Sequence, residues 1–263
     1  MGRVITVTTD FGLIDPYVGI MKGVMLAINP EARFVDITHM VEPGDITEGA
    51  LALEVACVHF PAGTIHLAVV DPGVGGGRRP IAVETENYLF VGPDNGLLSL
   101  AAASDGKRRV VELTNKEFFP GPASATFHGR DVFGPVAAHL SLGADPGALG
   151  AEITDMAAVE VPAPVSSGET LTGRVIHVDR FGNLITNVTR GDVPLGAEGE
   201  TEVAVRGVVI SGISGTYSSV AEGELAALFG SSGRLEVACN GGSASRTLGA
   251  AVGEPVTVRP GRL

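Results

Sequence analysis

The chain has 263 residues, of which 44% are hydrophobic, and a formal net charge of −12. These values predict a globular protein of about two domains with enough apolar side chains for a core in each. The negative charge argues against a nucleic-acid surface, which needs a basic stripe. No apolar run approaches the roughly 20 residues that span a bilayer, and residues 2–7 already have strand character, so no secretion signal is expected. We therefore expect a soluble, cytoplasmic protein that acts on a small molecule, with neither nucleic acid nor membrane as a partner.

The first half of the chain alternates between strand-like and helix-like segments. Runs of apolar and β-branched residues predict strands at residues 4–9, 34–37, 65–70, 81–83 and 89–91. Apolar residues that recur every three or four positions predict helices at residues 17–28, 46–59 and 130–142. This alternation favours an α/β domain, residues 1–160, with a mostly parallel layered sheet.

The texture of the sequence changes near residues 161–168, where Pro, Ser and Gly form a candidate linker. Beyond it no long helix is apparent, and a smaller all-β, barrel-like domain is predicted for residues 161–263. Its strands are expected at residues 173–178, 184–188, 202–210, 225–229, 235–238 and 256–258. Cys57 and Cys239 each stand among apolar neighbours, which is typical of buried free thiols.

The apolar run at residues 65–70 ends at Asp71, and a glycine-rich turn with an arginine, Arg78, follows. Ligands of open α/β sheets bind beyond the carboxyl ends of the strands, so both side chains lie where chemistry usually occurs. The turn lacks the Gly-Lys-Ser/Thr ending of a phosphate-binding loop. For Asp71 and Arg78 alone, an ion pair on a surface turn is the simpler interpretation.

A second polar cluster, Thr126–Asp131, opens the last helix predicted in this half and contains His128. Asp, Arg and His together are enough to hold and activate one small nucleophile. Asp71, Arg78 and His128 are therefore the candidate catalytic residues. No pair of histidines has the spacing of a zinc peptidase, and no metal site is expected.

Two carboxylates, Asp10 and Asp15, stand between the first strand and the first helix. A carboxylate at this place can accept both hydroxyls of a ribose, as in dinucleotide-binding folds. For Asp15 alone, capping the helix is the simpler role.

The second half carries its own candidate contacts. Phe181 and Asn183 follow a predicted strand, and an aromatic ring beside an amide suits a purine, because the ring stacks while the amide donates and accepts. A Gly-Asn turn that merely connects strands is the alternative. Small-residue loops at residues 230–233 and 240–243 would let a ligand approach the backbone.

Taken in order, these motifs resemble the S-adenosyl-L-methionine hydroxide adenosyltransferases, relatives of the bacterial fluorinase and chlorinase. The resemblance covers nearly the whole chain. It implies that water or hydroxide attacks the ribose C5′ of S-adenosyl-L-methionine and gives adenosine and L-methionine. The matching segments are Thr8–Gly12, Asp15–Gly19, Lys22–Gly23, Asp36–His39, Asp45–Ala50, Phe60–Thr64, Asp71–Gly75, Gly92–Gly96, Thr126–Asp131, Asp179–Asn183 and Asn240–Ser243.

The resemblance also implies roles for single residues. Asp71, Arg78 and His128 would surround the attacking oxygen. The halogenating relatives instead have a tyrosine in place of Asp71 and a Tyr-Ser pair in place of His128–Gly129. Asp10 would hold the ribose hydroxyls. Adenine would be received by Phe181, Asn183, Tyr217, Asn240 and Gly241, and the methionine end by Asp15, Asp179, Ser231 and Ser232.

No cofactor is implied, because the sulfonium departs as a neutral thioether that needs neither an acid nor a metal. The family resemblance further implies a homotrimer, with each site between the first domain of one subunit and the second domain of its neighbour. The sequence itself carries no signal of an oligomer, so this expectation rests on the resemblance.

Two other classes of function stay open. Asp10 and Asp15, with His39, faintly resemble the aspartate-rich start of calcium-dependent nucleoside hydrolases, which predicts metal-dependent cleavage at C1′. A non-catalytic protein that binds an adenosyl ligand predicts tight binding without turnover, and the complete Asp71, Arg78 and His128 set argues against it. Identifying the products formed in the presence of a chelator separates the three.

Overall fold

A seven-stranded sheet with helices on both faces forms the first of the two units into which the chain divides, Met1–Val159 and Glu160–Leu263. The structure is a computed structural model and describes residues 3–193 and 201–260. The strands of the first unit are β1 (Val4–Thr9), β2 (Arg33–Thr38), β3 (Ile65–Val69), β4 (Pro80–Glu84), β5 (Leu89–Pro93), β6 (Arg109–Glu112) and β7 (Glu152–Ile153).

The order of the strands in this sheet is β2-β1-β3-β5-β4-β6-β7. β2, β1, β3 and β5 pair in parallel, whereas β4, β6 and β7 join through antiparallel pairs. The prediction of a mostly parallel sheet is thus confirmed for one side of the sheet only. The reason is the short turn between β4 and β5, because a parallel connection needs a crossover of a dozen residues or more.

Four helices cover the two faces of the sheet: α1 (Tyr17–Ile28), α2 (Ile46–Cys57), α3 (Ser99–Ser104) and α4 (Gly134–Ser141). Side chains alternate across each strand, so Leu67 packs into the cluster with α1 and α4, and Ala68 into the cluster with α2 and α3. The carboxyl ends of β1 and β3 meet at one edge, since the two strands pair in parallel. That edge carries the polar residues that follow each strand.

The second unit is one antiparallel sheet in the order β12-β11-β15-β9-β10-β14-β13, with β8 on β9. A bridge between Ser214 and Leu228 lies between its two end strands, which makes the sheet nearly barrel-like. The all-β expectation holds apart from α5 and short 3-10 turns. The elements are β8 (Val165–Ser167), β9 (Thr170–Val178), β10 (Leu184–Thr189), β11 (Thr201–Val205), β12 (Val208–Ser211), β13 (Leu225–Phe229), β14 (Arg234–Cys239), α5 (Ala244–Leu248) and β15 (Pro255–Pro260).

Two details complete the comparison with the sequence. The single strand expected at residues 202–210 is a hairpin of β11 and β12, because Arg206 and Gly207 adopt φ values of 50° and 79° and reverse the chain. Cys57 and Cys239 are buried and unpaired, as predicted. Among the residues described, no helix combines the length and the apolar character needed to cross a membrane.

Candidate active site

Asp71 and Arg78 form a forked ion pair directly beyond β3. Arg78 Nε lies 3.0 Å from each carboxylate oxygen of Asp71, and Arg78 Nη2 also donates to Oδ2. The side chains of Asp71 and Arg78 are only 5% and 10% exposed. The interpretation as a surface pair is therefore wrong: the two charges lie in a largely buried setting, where such a pair needs close geometry and further hydrogen bonds to be tolerated.

His128 joins this pair through Arg78. Arg78 Nη2 lies 2.7 Å from His128 Nδ1. Because a guanidinium can only donate, Nδ1 is the acceptor and the neutral ring carries its proton on Nε2. Burial and the positive charge of Arg78 lower the pKa of His128, and the charges of Asp71 and Asp131 partly oppose this shift. The imidazole is consequently neutral at pH 7.

Local backbone features bring the two loops together. Gly75 has φ +74°, and a Cβ at this position would overlap the carbonyl oxygen of Ala125, so only glycine allows the Asp71 loop to approach the segment before His128. His128 is followed by one turn of π-helix, Gly129–Phe133, of a kind often found at functional sites. The ring of Phe133 lies under Arg78, with the guanidinium carbon 5.2 Å from its centroid.

A cavity of about 630 Å³ adjoins these side chains within the first unit. Asp10, Asp71 and His128 all line it, and Asp10 Oδ2 accepts a hydrogen bond from the Gly44 amide at 2.9 Å. Asp15 is exposed and is not part of this lining. The structure thus brings Asp10 and the three candidate catalytic residues together and leaves Asp15 apart.

Three aromatic side chains of the same cavity were not assigned from the sequence: Phe11, Tyr17 and Phe127. Their rings meet edge to face in pairs, with centroids 5.6–6.1 Å apart. The available signal was position, because Phe11 follows Asp10 and Phe127 precedes His128. They give the cavity an apolar wall opposite in character to the ion pair.

The second unit has a cleft of about 490 Å³, described here by itself. Asp179 organises the turn at its edge: Oδ1 accepts from the amides of Phe181 and Asn183, and Oδ2 accepts from Asn183 Nδ2, each at 2.9 Å. The Phe181 ring is 75% exposed. Six residues expected to bind substrate line this cleft: Asp179, Phe181, Asn183, Tyr217, Asn240 and Gly241.

Ser231 and Ser232 lie in the turn between β13 and β14 and are not part of this lining. The sequence analysis also missed Glu236 on β14, whose side chain accepts a hydrogen bond from the Tyr217 hydroxyl at 2.9 Å. Its signal was a single acid in the apolar run Leu235–Cys239. Burial raises the pKa of Glu236, and burial together with the Glu236 bond raises the pKa of Tyr217 to about 12.

The residues proposed for a calcium site do not converge. His39 Nδ1 lies 2.8 Å from Thr9 Oγ1, and its Nε2 lies 3.1 Å from Asp36. Within residues 3–193 and 201–260, no group of three or more His, Cys, Asp or Glu side chains is placed to hold a metal ion. The arrangement of Asp10, Asp15 and His39 therefore gives no support to the nucleoside hydrolase alternative.

Comparison with known proteins identifies the class. Residues 5–150 match the model of the SAM hydroxide adenosyltransferase N-terminal domain and residues 173–257 that of its C-terminal domain, so the chain belongs to this family. A relative named (R)-S-adenosyl-L-methionine hydrolase, from Salinispora tropica, is 42% identical over 98% of both chains. A fluorinase from Nocardia brasiliensis is 27% identical over 98% of this chain and 97% of its own. A crystal structure of a conserved protein from Thermotoga maritima superposes with a TM-score of 0.92, at 36% identity, over 97% of this chain and 99% of that one.

Proposed function

We propose that this chain hydrolyses S-adenosyl-L-methionine at the ribose C5′ and releases adenosine and L-methionine. The observation that carries the proposal is the position of Arg78, which bonds Asp71 and His128 at once beside a cavity in a chain of this family. The relative from Salinispora is named for the (R) epimer of the sulfonium, and we propose the same preference here.

The reaction needs a stronger nucleophile but no acid. The water oxygen forms a bond to C5′, the C5′–S bond breaks, and its electron pair stays on sulfur, which leaves as the neutral thioether of methionine. One water proton passes to His128 Nδ1, where water would take the place of the Arg78 contact, and is later released to solvent. Arg78 stabilises hydroxide character in the transition state, and Asp71 offsets the second positive charge that forms on the imidazole.

The remaining expected contacts complete this proposal. Asp10, in the same cavity as His128, would hold the ribose hydroxyls. In the second unit, Phe181, Asn183, Tyr217, Asn240 and Gly241 would receive adenine, while Asp179, Ser231 and Ser232, together with Asp15 of the first unit, would hold the methionine end. Neither a metal nor another cofactor takes part.

The decisive experiment supplies each epimer of S-adenosyl-L-methionine in ¹⁸O-labelled water with a chelator present. Adenosine labelled at C5′ and methionine are the expected products. Adenine, methylthioadenosine or 5′-chloroadenosine as the main product contradicts the proposal, and activity that is lost with the chelator restores the metal-dependent alternative. Tight binding of adenosyl ligands without any product favours the binding-protein alternative.

We further propose a cytoplasmic homotrimer whose sites join residues of neighbouring subunits. Mixing inactive Asp10→Ala and Asn183→Ala chains under subunit exchange tests this arrangement. If sites are shared, some mixed sites carry neither lesion and activity partly returns. No recovery between chains that demonstrably exchange places each site within one chain.

A further inference from the structure

Tyr217 lies on an irregular part of the second unit. It opens a short 3-10 turn, Tyr217–Ser219, between β12 and β13, and its side chain is 43% exposed. Loops of this kind are usually mobile. The segment is tied down upstream by the Ser214 amide, which donates to Ala227 O at 2.7 Å, and downstream by Val220 O, which accepts from Asn240 Nδ2 at 2.9 Å.

Between these two ties, the only contact given for the Tyr217 side chain itself is the bond from its hydroxyl to Glu236 Oε2. Glu236 stands opposite Ile185 and Leu228 in the sheet and is 7% exposed. A buried carboxylate between apolar neighbours lowers stability unless it is hydrogen-bonded. Such a residue is therefore expected where its bond serves a purpose beyond the fold.

We propose that Glu236 is a positioning residue that holds the Tyr217 ring as a fixed wall of the cleft for the substrate's purine base. The inference rests on the proposed function, since that function assigns this cleft to adenine. A ring that is already in place before the ligand arrives loses no rotamer freedom on binding, and stacking then contributes fully to affinity.

Two further observations agree with this role. A Cβ at Gly230 would overlap Glu236 Oε1, so the turn between β13 and β14 has glycine where the carboxylate needs space. The pKa of Tyr217 is raised to about 12, so the phenol keeps the proton that it donates throughout the working pH range. Glu236 accepts this bond whether or not it is itself protonated.

The test measures adenosine affinity by calorimetry and kcat and KM for S-adenosyl-L-methionine. Glu236→Leu should weaken adenosine binding roughly tenfold, as expected for one lost hydrogen bond to a carboxylate, and raise KM with kcat nearly unchanged. Glu236→Gln, whose amide oxygen still accepts from the phenol, should restore most of the affinity. Tyr217→Phe should weaken binding as Glu236→Leu does, and the double variant should be no weaker than either single one.

Tyr88→Phe is the matched control, because the Tyr88 hydroxyl donates to Phe60 O at 3.0 Å in the first unit, away from the cleft. It should lower the unfolding temperature and leave adenosine affinity unchanged. Wild-type affinity in Glu236→Leu, or effects that add in the double variant, overturns the proposal. Should Glu236→Leu fail to fold, Tyr217→Phe decides alone. If no variant or wild-type protein hydrolyses substrate but the adenosine affinities follow this pattern, the proposed function fails and the positioning role stands.

Discussion

The two clefts are built from opposite materials. In the first unit, Asp71, Arg78 and His128 are bonded to one another and largely withdrawn from solvent beyond a central strand. In the second unit, the Phe181 ring is 75% exposed and Tyr217 43% exposed, and both are carried on turns. Charges that act on a transition state need fixed, poorly solvated positions, whereas an exposed ring keeps the apolar area that a ligand can cover. We therefore expect the first cleft to control turnover and the second to control affinity.

The largest expected effect is that of His128→Ala on turnover. A positioned base contributes typically about 10²- to 10⁴-fold, so kcat should fall by that factor while adenosine affinity changes little. Single-turnover kinetics and calorimetry measure the two quantities. His59→Ala, at an exposed position, is the control and should behave as the wild type. A loss of affinity without a loss of kcat would break the division between the clefts.

The next effect concerns stability and sets the first unit apart. His66 is fully buried against Phe90, and burial lowers its pKa from 6.5 to about 4. The unfolded chain therefore binds a proton that the folded chain does not, and stability is lost as the pH falls from about 6.5 to 4. The loss is on the order of 3 kcal/mol.

Denaturant unfolding across this pH range, with hydrogen exchange in β3 and in β10, tests the effect. Protection in β3 should fall more steeply than that in β10 at acid pH. His66→Gln should flatten the pH dependence, and the exposed His59→Gln should not. Equal slopes in His66→Gln and wild type would assign the acid sensitivity to other groups.

Phe181→Ala tests the second cleft. Stacking of a base on an aromatic side chain contributes about 1–3 kcal/mol, so adenosine affinity should fall by a factor of ten or more. Because the ring is 75% exposed, the free energy of unfolding should change by less than about 0.5 kcal/mol. Phe181→Leu keeps an apolar side chain without the ring and should recover only part of the affinity. A large drop in kcat in either variant contradicts the assignment.

Asp10 should affect affinity from within the first unit. Its carboxylate would hold the ribose in the ground state and the transition state alike, so Asp10→Ala should raise KM about tenfold with a smaller change in kcat. Asp15→Ala, at an exposed carboxylate outside the cavity, should have a weaker effect. Comparable losses in the two variants would show that the cavity of the isolated first unit is not the complete binding surface.

The smallest expected change is a shift of the pH profile. The neutral imidazole of His128 is the active form, and its pKa is lowered by burial and by Arg78, so the acid limb of kcat/KM should lie below pH 6.5. Asp71 raises the pKa of His128, and Asp71→Asn should therefore move this limb to still lower pH. A limb above pH 6.5 would mean that another group is titrating.

The regular elements could be predicted because the sequence signals them locally. The bounds predicted for β1 and α1, residues 4–9 and 17–28, agree with the structure, since periodicity and a Pro breaker mark them. The strand β6 was missed, because its four residues, Arg109–Glu112, place charges at both ends. α3 was also missed, since Ser99–Ser104 is a short run of small residues without periodicity.

The site was predictable where residues follow strands and less so where partners are distant. Asp71 and Arg78 are seven positions apart, but their burial depends on Phe133 and His128, some 50 residues on, which no local pattern reveals. Glu236 was missed because a lone acid in a strand says nothing about a phenol 19 residues earlier. Ser231 and Ser232 show the converse, since small residues in a turn are common whether or not a ligand binds there.

The π-helical turn after His128 has a consequence for how such proteins can change. The Gly134 amide reaches back to Gly129 O, five residues earlier, so this turn holds one residue more than an α-helical turn. Removing a single residue there would restore ordinary helical phase and rotate the preceding segment by about 100° around the helix axis. His128 would then leave Arg78 without any substitution at the site. Insertions and deletions in Gly129–Phe133, rather than exchanges of side chains, are thus a direct route by which a descendant of this chain could lose or retune its nucleophile.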